Sequence, residues 1–229
     1  MLNFELMGES LPDLLGGMVL TLELTLASLL LGMVLALPLA ALRTARHWSL
    51  WAPAYGYITF FRGTPLLVQI FLLYYGTGQF PWMRDSILWP LLRESWWCAV
   101  LAFALNTAAY TAEILRGAIQ AVPHGEIEAA RALGMHGPAI FRTVILPQLW
   151  RFALPGIGNL WLVLLKDTAL ISVVGLEELM RKTAITAGAT RQPFTFYFAA
   201  ALIYLAFTLV SSAALQWAER RAGRGFRAV

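Results

Sequence analysis

The chain of 229 residues is 59% hydrophobic and only 13% charged, with a formal net charge of +4. Ordinary soluble domains carry about 25% charged residues, so the composition excludes a soluble globular protein. The basic residues sit between long uncharged runs, a pattern of membrane topology that excludes reading the positive balance as a nucleic-acid patch. Residues 24–42, 96–112 and 194–218 hold no charged side chain. Each run approaches or exceeds the roughly 17–25 residues that a helix needs to cross the bilayer. Backbone groups inside lipid must pair within their own segment, so these spans are helices. The composition therefore specifies an all-α polytopic membrane protein, with residues 1–229 as a single transmembrane domain. About five spans are predicted, near 18–42, 51–76, 96–115, 152–173 and 194–218.

The N-terminal tail carries Glu5, Glu9 and Asp13 with no lysine or arginine. An acidic start and an overlong apolar run argue against a cleavable signal. Placing that tail outside puts Arg43, Arg46, Arg116, Arg131, Arg142, Arg151, Arg220, Arg221, Arg224 and Arg227 in the cytoplasm. Only Arg84, Arg93, Arg181, Lys182 and Arg191 are left outside. That asymmetry predicts N-terminus out and C-terminus in. Trp48, Trp51, Trp82, Trp89, Trp96 and Trp97 cluster at predicted span ends, as an interfacial belt does.

In the first span only Thr21, Glu23, Thr25 and Ser28 are polar, and Glu23 is read as solvated near the outer end. The second span is interrupted by Arg62-Gly63-Thr64-Pro65. Proline removes a helix hydrogen bond, and a broken helix at membrane depth is tolerated only where protein or a water-filled cavity receives it. Arg62 either snorkels or fills a fixed ion pair, or it serves a translocated solute. In the third span Asn106, Tyr110 and Glu113 follow i, i+4, i+7 spacing and make one polar stripe, facing a path or merely packing. Cys98, the one cysteine, reads as an apolar packing residue. In the fourth span Lys166-Asp167-Thr168 divides an apolar run. Adjacent helical residues point about 100° apart, so the two charges need separate partners, a ligand, or solvent at the span's outer end. No internal repeat of 20–50 residues is visible.

The stretch 116–151 is long for a connection in a small bundle. Pro123-His124-Gly125 breaks the chain, and Glu126 and Glu128 suit the first turn of a helix, where the dipole favours anions. Gly134 is a suitable helix stop, Pro138 suits the start of another, and Pro147 reads as a second stop. Ile127, Ala130 and Leu133 form a narrow apolar ridge on a short polar helix. Such a helix lies on the membrane surface or docks into another protein. The docked reading is stronger, because a lipid-binding face wants Lys and Arg.

Glu128-Ala129-Ala130, then Gly134, then Val144-Ile145-Leu146-Pro147 resembles the EAA loop of binding-protein-dependent ABC importer permeases. Residues 61–69, Phe-Arg-Gly-Thr-Pro-Leu-Leu-Val-Gln, and residues 165–170, Leu-Lys-Asp-Thr-Ala-Leu, are similar to segments of polar amino acid permeases, as is Ala153-Leu154-Pro155-Gly156. The resemblance covers nearly the whole chain and is nearest to permeases of basic amino acids and opines. It implies a type I ABC importer permease fold in a bacterial inner membrane. It implies a second permease chain, two ABC ATPase subunits, a periplasmic substrate-binding protein and an amino acid substrate. Residues 128–134, with Glu128, Ala129, Ala130, Leu133 and Gly134, would be the helix coupled to the ATPase, with Pro147 closing the motif. No Gly-x-x-x-x-Gly-Lys-Ser/Thr occurs, so the chain is expected not to be an enzyme, with ATP and Mg on the ATPase and no cofactor or metal here. The expected substrate path comprises Arg62, Thr64, Gln69, Asn106, Glu113, Lys166, Asp167 and Thr168. An ion-driven carrier and a transport-silent partner of a heterodimer are the alternatives.

Overall fold

The computed structural model describes residues 2–223, so Arg224 and Arg227 of the basic C-terminus lie outside the described residues. The first uncharged run belongs to a 40-residue helix, α1 (Phe4–Arg43), about 60 Å long at 1.5 Å per residue. The acidic tail expected ahead of the span is thus helical, and its first turn is capped by Asn3, whose side chain accepts from Leu6 N at 3.1 Å. One face of α1 is buried through Leu14, Met18, Thr21, Thr25, Ser28, Gly32, Ala36 and Ala40, spaced by three or four as a single helical face requires, with Leu24 beside it. Val19, Leu26, Leu30, Val34 and Leu37 point outward, an apolar surface that suits hydrocarbon.

The second span is broken as expected. Helix α2 (Trp48–Gly63) ends at extended Thr64 and Pro65. A proline pushes its predecessor out of the helical region, and the chain resumes as α3 (Leu66–Phe71), continuing through a wide turn to Gln79 at 105° to α2. Two short helices, α4 (Pro81–Arg84) and α5 (Trp89–Leu92), lead into α6 (Ser95–Gln120). Helix α6 is the centre of the bundle: 61% of its apolar stretch is buried, against 17% for the last helix. Small residues let it approach α1 closely, with Ala36 and Ala40 of α1 packed in one cluster with Ala109 and Ala112. A Cβ on Gly32 would lie 2.9 Å from Thr107.

After α6 comes α7 (His124–Ala132), then α8 (Gly137–Ile140), a π turn over Phe141–Ile145, and α9 (Leu146–Asp167). The segment Gly137–Val174 runs as one 38-residue helical rod. Pro147 therefore does not stop a helix. It lies inside the rod just after the π turn over Phe141–Ile145, and that wider turn accommodates the missing N–H and the proline ring. The connection expected over 116–151 shrinks accordingly to residues 121–136, which carry α7. Past Asp167 the rod tightens into a 3₁₀ turn, Thr168–Val174, which ends at left-handed Gly175 with φ 91°.

A helix absent from the sequence reading follows, α10 (Leu179–Thr190), and then α11 (Pro193–Ala222). Arg181 and Lys182, expected outside the membrane between the last two spans, lie on α10. Lys182 pairs with Asp13, and Asn3 N donates to Thr195 at 3.3 Å. The start of α1, helix α10 and the start of α11 therefore share one end of the bundle. Helix α7 and the Arg43–Glu113 pair lie at the other. Among the described residues there is no strand.

Helix α10 lies so close to α1 that a Cβ on Gly17 would fall 2.9 Å from the Leu179 backbone. Backbone cannot yield as a flexible side chain can, so Gly17→Ala should destabilise by about 1–3 kcal/mol, read as a lower unfolding temperature in detergent. Gly8→Ala meets nothing within 4 Å and gains helix propensity, so its midpoint should hold or rise. Equal midpoints for Gly17→Ala and the parent would refute the close contact.

Candidate functional site

The break in α2 strands backbone carbonyls at membrane depth, because Pro65 has no N–H to offer them. Two amides repair this. Gln69, 6% exposed, donates through Nε2 to Phe61 O at 2.9 Å, Thr64 O at 3.0 Å and Thr64 Oγ1 at 2.8 Å. Asn106 on α6 donates through Nδ2 to Phe61 O at 3.1 Å and to Gln69 Oε1 at 3.0 Å. Thr64 closes the cluster by donating to Phe60 O at 2.8 Å.

Beside this brace lies a cavity of about 270 Å³ between the α2 break, α6 and α9. Thr64, Asn106, Thr107, Tyr110, Asn159 and Asp167 supply its polar lining. Asp167 makes no hydrogen bond or ion pair among the described residues and is half-buried. Toward the α7 end a second cavity of about 390 Å³ is walled by Arg43, Tyr55, Thr59, Arg62, Tyr110 and Glu113. The Arg62 guanidinium lies 5.2 Å from the Tyr110 ring centroid. Glu113 is shared between Arg43 Nε at 3.1 Å and Arg116 Nη2 at 2.7 Å.

The structure thus brings Thr64, Asn106 and Asp167 to one cavity and Arg62 and Glu113 to the other, with Gln69 buried beneath the break. Lys166 is exposed and lines neither. Thr168 is fully buried and turned inward, its hydroxyl donating to Leu165 O at 2.8 Å, which ties the 3₁₀ turn to α9. Asn159 went unremarked in the sequence, although its i, i+8 spacing to Asp167 places both on one face of α9.

Helix α7 ends as its glycine foretells. Gly134 is left-handed at φ 76°, with Gly134 N donating to Arg131 O at 2.9 Å and Met135 N to Ala130 O at 3.1 Å, the paired bonds of a Schellman cap. The apolar ridge is divided. Ala130 is buried at 5% exposure and Leu133 is 82% exposed, with Glu128 and Ala129 also outward. On the packed side, Gln148 of α9, next to Pro147, donates to Glu126 and to Val144 O, so α7 is tied to α9.

Glu178, not singled out in the sequence, is fully buried where α10 begins. It accepts from Met180 N and Arg181 N at 2.8 Å, capping α10. Thr21 on α1 and Tyr204 on α11 reach it at 3.5 and 3.4 Å, so one carboxyl joins three helices. Glutamate is not among the favoured capping residues, which hides this role from a sequence pattern.

Residues 12–224 match the family described as the binding-protein-dependent transport system inner membrane component. The chain belongs to this family. It is 46% identical over 222 residues to the octopine transport system permease protein OccM of Rhizobium meliloti, spanning 94% of this chain and 91% of that one. It is 41% identical over 211 residues to the arginine ABC transporter permease protein ArtQ of Haemophilus influenzae, spanning 92% and 94%. A solved structure described as an amino acid ABC transporter with histidines superposes with a TM-score of 0.86 at 36% identity, over 96% of this chain and 99% of that one. The fold is that of type I ABC importer permeases, and the chain is the membrane-spanning subunit of such an importer. Work with an ATPase and a substrate-binding protein follows from that membership.

In this permease subunit, burial pushes the Glu178 carboxyl up to about 7, against the opposing hydrogen bonds from Met180 and Arg181. The folded state therefore holds a proton that the unfolded chain, near 4.5, releases earlier. Stability from this group is fully present below about 4.5, falls as pH rises through about 7, and is flat above. The unfolding temperature in detergent should decline across that window, and Glu178→Gln should flatten the decline. An identical pH profile for the two proteins would refute the assignment.

Proposed function

We propose that this permease carries basic amino acids or opines from a periplasmic binding protein to the cytoplasm by alternating access, driven by ATP hydrolysis on a separate ATPase subunit. The observation that carries the reading is Asp167: a carboxylate that forms no ion pair among the described residues, on the wall of a cavity inside a membrane bundle. A charge at that depth is costly until something pairs with it. An ammonium or guanidinium entering the cavity supplies the partner and leaves with it, which is what a transient site needs. Relatives are named as permeases of octopine and of arginine, two solutes that both carry a guanidinium group. A chain that merely props a transporting partner would have no use for this cavity.

The arginine-rich end carrying α7 is the cytoplasmic face, with the N-terminus outside, in a bacterial inner membrane. Two permease chains form the path. Helix α7, with Glu128, Ala129 and Leu133 outward and Ala130 and Gly134 setting its seat and its end, docks on the ATPase. ATP and Mg stay on that subunit, and no cofactor is required here. The ATPase moves the permease only insofar as it holds α7 differently in its two nucleotide states.

Asp167→Asn keeps the shape and removes the charge. With a charge-assisted hydrogen bond worth about 1.5–3 kcal/mol, uptake of labelled arginine or octopine by the reconstituted complex should need about 10- to 100-fold more substrate. Assembly and basal ATP hydrolysis should stay normal. Unchanged uptake with unchanged selectivity would show that Asp167 does not hold the solute. Gly134→Asp forces a side chain into a left-handed position, at a cost of about 1–2 kcal/mol, without a clash, since nothing lies within 4 Å of its Cβ. The damage should be confined to the end of α7. The ATPase should co-purify poorly or hydrolyse ATP without uptake, and normal co-purification with normal uptake would exclude the docking role.

A further inference from the structure

Tyr110 lines both cavities at once. The boundary runs through consecutive residues: Thr64 faces the first cavity and Gly63 the second, while on α6 Asn106 belongs to the first and Glu113 to the second. The two compartments are opposite in charge. The first has Asp167 and no cationic side chain in its lining. The second has Arg43, Arg62 and Glu113, and Glu113 is already shared between Arg43 and Arg116. Arg62 forms no ion pair among the described residues: Glu113, the carboxylate that shares its cavity, is held by Arg43 and Arg116, and the contact of Arg62 is the Tyr110 ring.

An amino acid held by its cationic end at Asp167 finds only neutral donors for its α-carboxylate in the first cavity. We infer that the second cavity is a separate subsite for that carboxylate, with Arg62 as its ligand, and that the Arg62–Tyr110 stack is the partition a substrate must undo to enter it. This rests on the proposed passage of an amino acid past Asp167. A planar guanidinium grips a carboxylate with two parallel hydrogen bonds, a stronger hold than a cation–π contact. An arriving carboxylate therefore draws Arg62 off Tyr110 and opens the way in the same step. A solute without a carboxylate cannot make the exchange. The partition thus selects amino acids over the corresponding amines, a discrimination that Asp167 alone does not provide.

Thiol labelling tests this in the reconstituted permease–ATPase complex. The single native cysteine, Cys98, is buried and gives little background. Thr59→Cys places a thiol in the second cavity, and Asn159→Cys places one in the first. A membrane-impermeant maleimide added from the α7 side should label Thr59→Cys about tenfold faster than Asn159→Cys, as a partition held by roughly 1.4 kcal/mol requires. Adding Tyr110→Ala should erase that difference, while Tyr110→Phe, which keeps the ring, should preserve it, with co-purification of the ATPase confirming assembly. Saturating arginine should slow labelling of Thr59→Cys, its decarboxylated amine should not, and Arg62→Gln should abolish the protection. Equal labelling of the two sites with Tyr110 intact, or equal protection by the amine, overturns the inference. If Asp167→Asn cripples uptake while the two sites label equally, only the partition falls. If Asp167→Asn transports normally, the passage on which it rests falls as well.

Discussion

A helix that stops inside a membrane must find donors for the carbonyls it leaves behind, and no water is there to supply them. In this permease α2 stops at Pro65, and the amides of Gln69 and Asn106 answer for Phe61 and Thr64. The bend of 105° depends on that repair. So does the first cavity, since it lies against the broken segment and takes Thr64 and Leu66 into its wall. The repair also consumes polarity. Gln69 has no donor left over and the Asn106 amide N–H groups are committed, so the groups better placed to meet a solute include Asp167 and Asn159 on the opposite helix, with Tyr110 between the cavities.

The fold was legible where physical chemistry acts locally. Proline at 65 and glycine at 134 mark their breaks by backbone restriction alone, and the structure places a bend and a left-handed cap at those positions. The uncharged runs mark the spans because lipid tolerates little else. Where the sequence misled, a neighbour decided the outcome. Pro147 reads as a stop, yet a π turn just before it lets the rod continue. Helix α10 is short, rich in threonine and carries two basic residues, so nothing in its own pattern announces it. It exists because Glu178 caps it and Gly17 admits its backbone against α1.

The candidate site divides along the same line. Residue types and depth single out Asp167, Asn106 and Thr64, and they meet at one cavity. Lys166 and Thr168 carry equally suggestive chemistry beside Asp167, but helical rotation sends one to the surface and the other into the backbone of α9. Depth alone does not tell a lining residue from a structural one. Gln69 shows the converse: its polarity at depth belongs to the break and not to the passage.

The tie between Gln148 and Glu126 joins α7 to the foot of the rod whose upper part bears Asp167. Nineteen residues at 1.5 Å each separate Gln148 from Asp167, an arm of about 28 Å, so a tilt of about 5° at its foot carries the carboxylate through about 2.5 Å. The arm is not uniform. Pro155 interrupts its ladder of hydrogen bonds, while Gly158 lets Leu215 of α11 lie against it so closely that a Cβ would come within 2.9 Å. The linkage is thus a lever with a compliant joint near its middle and a bearing one turn beyond, and the stiffness of that joint sets how much of any stroke applied to α7 arrives at the carboxylate.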